Sequence, residues 1–509
     1  MKLLLISLNQ QDVDEFKKAP TDISALSARY LSSYLKSFGH EVDILFLCKY
    51  FGEKENENEI TQIIELIDRL QPDLIGISLM SNHFFRAVTI TQAIKQNGTY
   101  PPIIWGGIHP TIDTSKCLEF ADFVCKGEGE IAVKMLLDNF NNFRDLVIPG
   151  IWYKNGDKIV EGGHGQLVSD INSLPHPDYD FNTQYIIHEG ELISLSIEIF
   201  RQYFPAIRGH HRVMSGRGCP HNCSYCCSPV FKGLYGHGYM RQRSVDNFMA
   251  EMVEIKNKFP FIVFFKIMDD TFATNSVDWL REFNRQYKQK INLPFYCLVS
   301  PTTITEEKLD LLVDAGLKEI QIGLQSGSNR LNSEVYLRHA KVEHFLKMME
   351  IFEKYRGRID FSVDVIVDNP YETKDDLLQT INVLNQIKKP FKLSIFSLSL
   401  YAGTSLHQRA INDKLLADEN EYLSKQFHLL KNNIFNKIIY LTPRLSKQQI
   451  NKIIKNYNNF FIRCYINILY FVYTKKRKLP PPLLKLISRI LKYIKTIHYR
   501  ASHLLLSKV

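Results

Sequence analysis

The sequence lacks a long hydrophobic run. Leu3-Leu4-Leu5-Ile6, in the apolar start Met1–Leu8, is short and no small-residue cleavage site follows it. Cys464–Tyr473 is apolar for about ten residues, where a membrane span needs about 20. A signal peptide and a spanning helix are therefore not expected, and residues 2–8 read as a first buried strand. A disulfide framework is missing too. The nine cysteines, at 48, 117, 125, 219, 223, 226, 227, 297 and 464, are odd in number and form one tight cluster, which fits a reducing cytosol. Acidic residues are absent from 422–509, which holds 18 Lys and Arg, while residues 1–421 hold 45 basic and 54 acidic residues. The net charge of +9 thus hides a mildly acidic body and a strongly basic tail, a split that suggests a separate job for the tail.

What is present is a chain of 509 residues, 45% apolar and 23% charged, the composition of a globular protein of two or three domains. Its most informative stretch runs from Ser215 to Cys227. Cys219, Cys223 and Cys226 are spaced C-x3-C-x2-C. Three thiolates from one short loop can hold three corners of a cubic iron–sulfur cluster and leave the fourth iron open to a ligand that is not protein. Gly216 and Gly218 permit a tight turn around such a cluster, and Pro220 and Asn222 suit a loop. Zinc is the alternative, with His221 as a fourth ligand. A structural zinc site normally wants four ligands, and paired C-x2-C knuckles are absent.

The loop, with Tyr225 just before the third cysteine, resembles the cluster loop of the radical S-adenosylmethionine (SAM) superfamily. The resemblance implies that Cys219, Cys223 and Cys226 ligate a 4Fe–4S cluster and that SAM chelates the open iron. An electron from the cluster, delivered by a donor such as flavodoxin or ferredoxin, then cleaves SAM to a 5′-deoxyadenosyl radical. Cys227 reads as a packing or neighbouring thiol.

Residues 1–145 alternate apolar strands with helical stretches. The strands are 2–8, Val42–Leu47, Asp73–Leu79, Pro102–Gly107 and Phe123–Glu130, and the first helical stretch runs from Pro20 to Phe38. This predicts a doubly wound parallel sheet, whose ligands sit beyond the carboxyl ends of its strands. That edge carries Ser78, Gly106, Gly107, His109, Thr111, Gly127, Glu128, Gly129 and Glu130. Pro20 before a helix, the Gly106–Thr111 turn and the Gly127–Glu130 turn together resemble the cobalamin-binding domain that precedes many radical SAM enzymes. The Asp-x-His-x-x-Gly motif of other cobalamin proteins is absent from this region, so the resemblance implies cobalamin with its benzimidazole tail displaced and no histidine on cobalt. His109 suits a packing or phosphate-side position better than an axial one.

Residues 146–205 read as a connector, with an Asn-Gly hairpin over 150–160 and a proline-rich bridge over Leu174–Asp178. Its aromatic end, 186–205, is a candidate wall of a substrate channel. Residues 206–415 repeat strand and helix about six times, predicting a partial (β/α)6 barrel with its chemistry at the carboxyl ends of the strands. There stand Asp269, Asp270, Gln325, Ser326 and Glu372, with Asp269 or Asp270 at the position where the family places an acidic residue for the SAM ammonium. Gln325-Ser326 occupies a place where the family often has Glu-Ser, and Glu372 fits the family's Pro-x-Glu-Thr-like turn; a helix cap or a solvated charge is the plainer reading of each.

Residues 416–509 read as a basic helical region, with helices over Tyr422–Tyr440, Lys447–Phe461 and the amphipathic Leu483–Tyr499. Basic, aromatic helices without acids suit an anionic membrane surface, and no nucleic-acid module is visible. The resemblance over 1–415 implies a cobalamin-dependent radical SAM enzyme, with C-methylation of a lipid-like or secondary-metabolite substrate as the expected reaction. The alternatives are a non-methylating cyclase or rearrangement enzyme, a tRNA methylthiotransferase, which should carry three further cluster cysteines, and a non-enzymatic cofactor sensor.

Overall fold

The computed structural model describes residues 1–11, 23–50, 53–98, 100–203, 209–416, 418 and 420–475. Pro20 and the stretch from 476 onward, with Leu483–Tyr499, lie outside the described residues. The chain divides into two compact units: Met1–Ile320 with Tyr336–Arg338 and Ser399–Gln426, and Gln321–Val335 with His339–Leu398 and Phe427 onward.

In the first unit the early apolar runs pair as β1 (Lys2–Gln11), β2 (Glu41–Tyr50), β3 (Leu74–Ser78), β4 (Ile103–Gly106) and β5 (Phe123–Cys125). The order β5-β4-β3-β1-β2 is parallel throughout, with Leu3 opposite Val42 and Leu74, and Ile77 opposite Trp105. Val42 and Ile44–Leu47 are all buried, because helices cover both faces of a parallel sheet. The helix Glu57–Leu70 starts at a capping box between Asn56 and Glu59.

The sheet is wider than the alternating runs suggest. The Asn-Gly hairpin, β6 (Ile151–Asn155) and β7 (Lys158–Glu161), adds antiparallel to β5. At the other edge β8 (Gln184–His188) lies parallel to β2 and turns back as β9 (Glu191–Ser194), giving nine strands. Part of the aromatic end of the connector is therefore sheet edge, followed by a short helix, Ile197–Gln202.

Arg29 fastens this edge. Its guanidinium is fully buried and donates to Ser24 O (2.9 Å), Asp178 O (2.7 Å), Ile23 O (3.2 Å) and Gln184 Oε1 (2.7 Å). It also lies 4.8, 4.4 and 5.3 Å from the ring centres of Phe46, Tyr179 and Phe200. The cation is thus paid its lost hydration by carbonyl oxygens and π-faces, and it binds the first helix to the connector.

A separate parallel sheet begins in the same unit with β10 (His210–Val213), after which a two-residue ribbon, β11 (Gly216–Arg217) with β12 (Arg241–Gln242), brackets the cysteine loop. β13 (Phe264–Ile267) pairs with β10, and β14 (Phe295–Val299) with β13. β15 (Leu317–Gln325) starts in the first unit and ends in the second. In the second unit β16 (Asp360–Val367) and β17 (Lys392–Ser397) pair in parallel, Ser362 opposite Lys392 through Val367 opposite Ser397. Six strand–helix repeats follow one another from His210 to Asn412. Five of their helices begin in the same way: the hydroxyls of Ser244, Ser276, Thr305, Thr373 and Thr404 each accept from the backbone N–H three residues on.

Several boundaries differ from expectation. The first helix spans Leu26–Ser37, and Gly129–Glu130 begin a helix instead of ending a strand. The expected helix over Tyr422–Tyr440 is only Ile434–Leu441, capped by Asn433, since Asn432-Asn433 favour a cap over a helix interior. The next helix, expected to reach Phe461, stops at Asn456. Cys464–Tyr473 lies within the helix Phe460–Lys475, and among the described residues no helix is long and apolar enough to cross a membrane.

Candidate active site

The carboxyl edge of the first sheet opens on a cavity of about 310 Å³. Its floor is apolar, formed by Leu3, Leu5 and Ile104, with Gly76 and Ser78 between them. Gly106, Gly107 and the Gly127–Glu130 turn line its rim, and Met214, Gly216, Arg217, Phe231 and Arg243 close the side toward the cysteine loop. Two rim glycines are required by space as well as by φ. A Cβ on Gly107 (φ +110°) would stand 2.8 Å from Leu79 O, and one on Gly127 (φ +102°) would collide with the Tyr235 hydroxyl.

Not every expected rim residue faces the cavity. His109, expected in a turn, sits in a short helix, Ile108–Ile112, and is fully buried. Its ring packs edge-on against Phe84 at 5.2 Å, with Nδ1 3.2 Å from Ser81 Oγ, and burial pulls its pKa down to about 4. His109 is thus packed among aromatic side chains. Thr111 bridges the two glycine turns, its hydroxyl donating to Gly107 O (2.8 Å) and accepting from Gly127 N–H (3.0 Å).

Glu128 and Glu130, expected to meet a cofactor, spend their carboxylates on arginines. Arg217 donates through Nη1 to Glu128 (2.8 Å) and through Nη2 to Glu130 (2.7 Å). Arg241 forks onto both oxygens of Glu128. Burial would raise the pKa of Glu130, but the Arg217 guanidinium holds it below the usual carboxylate range. No local signal in the sequence marks partners that lie 89 residues away.

The cysteine loop hangs from the ribbon between Arg217 and Arg241. Gly218 (φ +98°) starts it, where a Cβ would stand 2.8 Å from Tyr239 O. Cys226 N–H donates to Cys223 O (3.0 Å), and Ser224 N–H to Tyr336 O (2.9 Å). The Tyr225 ring meets Tyr336 edge-on at 5.0 Å, and burial raises its hydroxyl pKa well above the usual value. All four thiols of the loop are free and half-buried. Burial pushes the Cys219 thiol up to about 12, whereas Cys226 is lowered by a hydrogen bond from Cys227 and by the Ser228 backbone. Cys227, the next residue, is raised by its contact with Cys226 and by burial. Among the described residues no three His, Cys, Asp or Glu side chains converge as a single-ion site requires.

Asp269 and Asp270 part company. Asp269 is buried, accepts from Ser215 N–H at 2.7 Å and from the Ser215 hydroxyl, and has its pKa raised by burial to about 6. Its role here is to fix the start of the loop. Asp270 accepts from Ser228 Oγ (3.3 Å), and its charge adds to the rise at Cys219 and Cys227 and opposes the lowering at Cys226. In the second unit Ser326 is fully buried and bonded within its own turn, 3.3 Å from Thr380 Oγ1 and accepting from Ser328 N–H (3.1 Å). Gln325 has φ +63° and a buried Oε1 without a hydrogen bond. Glu372, whose N–H donates to Asn369 O, has its pKa raised to about 8, by burial and then by Asp376 and Asp368.

A glycine-edged cavity above a parallel sheet and a three-cysteine loop thus lie in one compact α/β unit. Residues 213–384 match the radical SAM superfamily model, and residues 16–137 match the B12 binding domain model. The chain thus contains a region similar to the radical SAM superfamily, preceded by one similar to B12 binding domains. It is 23% identical to an uncharacterized methyltransferase of Pyrococcus horikoshii over 86% of this chain and 88% of that one. It is also 23% identical to cytidylyl-2-hydroxyethylphosphonate methyltransferase of Streptomyces wedmorensis, over 63% and 65%, and to an anaerobic magnesium-protoporphyrin IX monomethyl ester cyclase of Cereibacter sphaeroides, over 69% and 54%. In fold it is similar to the radical SAM methyltransferase TsrM of Kitasatospora setae, with a TM-score of 0.62 at 17% identity over 83% of this chain and 82% of that one.

The Glu372 environment generates a pH prediction. A carboxyl group whose folded pKa lies above its unfolded value keeps a proton that the unfolded chain has released, so stability falls as pH rises between the two values. The denaturant midpoint should fall between about pH 5 and pH 8, and Glu372→Gln should flatten that fall. An unchanged slope in the variant would contradict the environment described.

Proposed function

We propose that this chain is a cobalamin-dependent radical SAM enzyme that methylates an unactivated carbon of a lipid-like or secondary-metabolite substrate. The observation that carries the reading is the apolar cavity held between the glycine rim of the first sheet and the base of the cysteine loop, within one compact unit. The division of labour is a cobalamin domain (1–145), a connector (146–205), a radical SAM region (206–415) and a basic carboxyl-terminal region (416–509).

The residues fit the groups this reading requires. Cys219, Cys223 and Cys226 are free thiols on one loop, and would hold three irons of a 4Fe–4S cluster. Asp270, beside those thiols, would face the ammonium of SAM. A cavity of about 310 Å³ sits at the small end of the range for ligand sites, about 300–1,000 Å³, and suits a planar aromatic tail better than a whole corrin. Leu3, Leu5, Gly76 and Ile104 would pack such a tail, and Gly106 and Gly107 would admit it closely. When bound, the cluster supplies the electron that cleaves SAM, and the cobalamin supplies the methyl group. The protein's part is to hold the two facing each other and to exclude water.

The methyltransferase relatives support methyl transfer, and the cyclase relatives support the alternative of a rearranging or ring-forming enzyme. Anaerobic turnover with methyl-labelled SAM separates them. The proposal predicts label in the product and 5′-deoxyadenosine released alongside it; deoxyadenosine with unlabelled product would establish the alternative.

The basic region supports a cytoplasmic location with contact at an anionic membrane surface. The helix Phe460–Lys475 exposes Phe460, Phe461, Phe471 and Tyr473, and no acid occurs over 422–509. Sedimentation should show salt-sensitive binding to phosphatidylserine vesicles and none to phosphatidylcholine; equal binding to both would reject the contact.

A further inference from the structure

The cysteine loop is a closed excursion. Residues 218–240, with Cys219, Cys223, Cys226 and Cys227, leave the ribbon after Arg217 and return to it at Arg241. Those two arginines are neighbours across the ribbon and both reach the same turn of the first sheet. Arg217 spans Glu128 and Glu130, while Arg241 forks onto Glu128 and also donates to Val168 O (2.8 Å). The far side of the excursion is tied to the turn as well, since Glu128 N–H donates to the Tyr235 hydroxyl (2.8 Å). The side chains are largely withdrawn from water, 22% exposed for Arg217, 6% for Arg241, 14% for Glu128 and 9% for Glu130, so salt screens these pairs little.

Gly127–Glu130 and Arg217 also line the cavity. A group that fills the cavity therefore adjoins the residues that hold the ribbon. Displacing one member would leave a largely buried charge without its partner, a penalty that favours concerted movement of turn and ribbon. Two guanidiniums and two carboxylates, joined by one bidentate pair at Arg241 and by single bonds from Arg217 to each carboxylate, form a link with few alternative arrangements.

We propose that Arg217 is a positioning residue that couples occupancy of the cavity to the state of the cysteine loop. Cluster assembly and cobalamin binding then favour one another through the Arg217–Glu128–Glu130 link. The coupling rests on the two-cofactor reading above, and by linkage it is reciprocal.

The test is an anaerobic spectroscopic titration of the full-length protein with hydroxocobalamin, before and after reconstitution of the cluster, with iron content measured in each sample. In the wild type the cluster should tighten cobalamin binding by about fivefold or more, the lower end of site–site couplings. In Arg217→Met the ratio should fall to about one while the iron content is retained, and Arg217→Lys, which cannot fork onto both carboxylates, should restore it only in part. Glu130→Gln keeps the shape of the turn and should lower the ratio too, which decides the matter if Arg217→Met does not fold. A wild-type ratio of about one, or an undiminished ratio in the variants, would overturn the coupling. Cobalamin failing to bind the wild type in either state would overturn the two-cofactor reading itself, and the coupling with it.

Discussion

A parallel sheet delivers all its strand ends to one edge, and that constraint shapes the first unit. Because β1, β3, β4 and β5 run the same way, Ser78, Gly106 and the Gly127–Glu130 turn meet at one rim although long stretches of chain separate them. The turns at that rim must bend sharply and let other backbone come close. Glycine at 107 and 127 meets both demands, since a side chain there would meet Leu79 or Tyr235. The cavity follows from the glycines, and the glycines follow from the sheet.

The second consequence concerns charge. Carboxylates at the rim of an apolar cavity need partners, and the partners come from the ribbon at the base of the cysteine loop. Glu128 and Glu130 line the cavity and at the same time fasten its rim to the ribbon. Asp269 does similar work on the other flank by capturing the Ser215 backbone and hydroxyl. Asp270, one residue on, points elsewhere and stands among the thiols. The chain has left β13 at Ile267 and bends at Asp270, and the two carboxylates take different partners.

Much of this was legible in the residues. The central strands announced themselves as unbroken apolar runs, because both faces of the sheet are covered. The cysteine spacing and the two glycine-rich turns marked the site. Edge strands were harder: Gln184–His188 and Glu191–Ser194 mix polar and apolar residues, and only the Glu189-Gly190 turn hints at a hairpin. The protein partners of Glu128, Glu130 and Asp269 were out of reach, because nothing local in sequence marks a bond to a distant arginine or serine. His109 illustrates the same limit from the other side, its buried contact with Phe84 being a property of packing alone.

Anaerobic reconstitution, read by iron content and by the paramagnetic resonance of the reduced protein with and without SAM, tests the central claim most directly. The account predicts about four irons per chain, bound through the loop thiols, and a resonance that changes when SAM is added. A preparation without a cluster, or a cluster whose signal is indifferent to SAM, would contradict it.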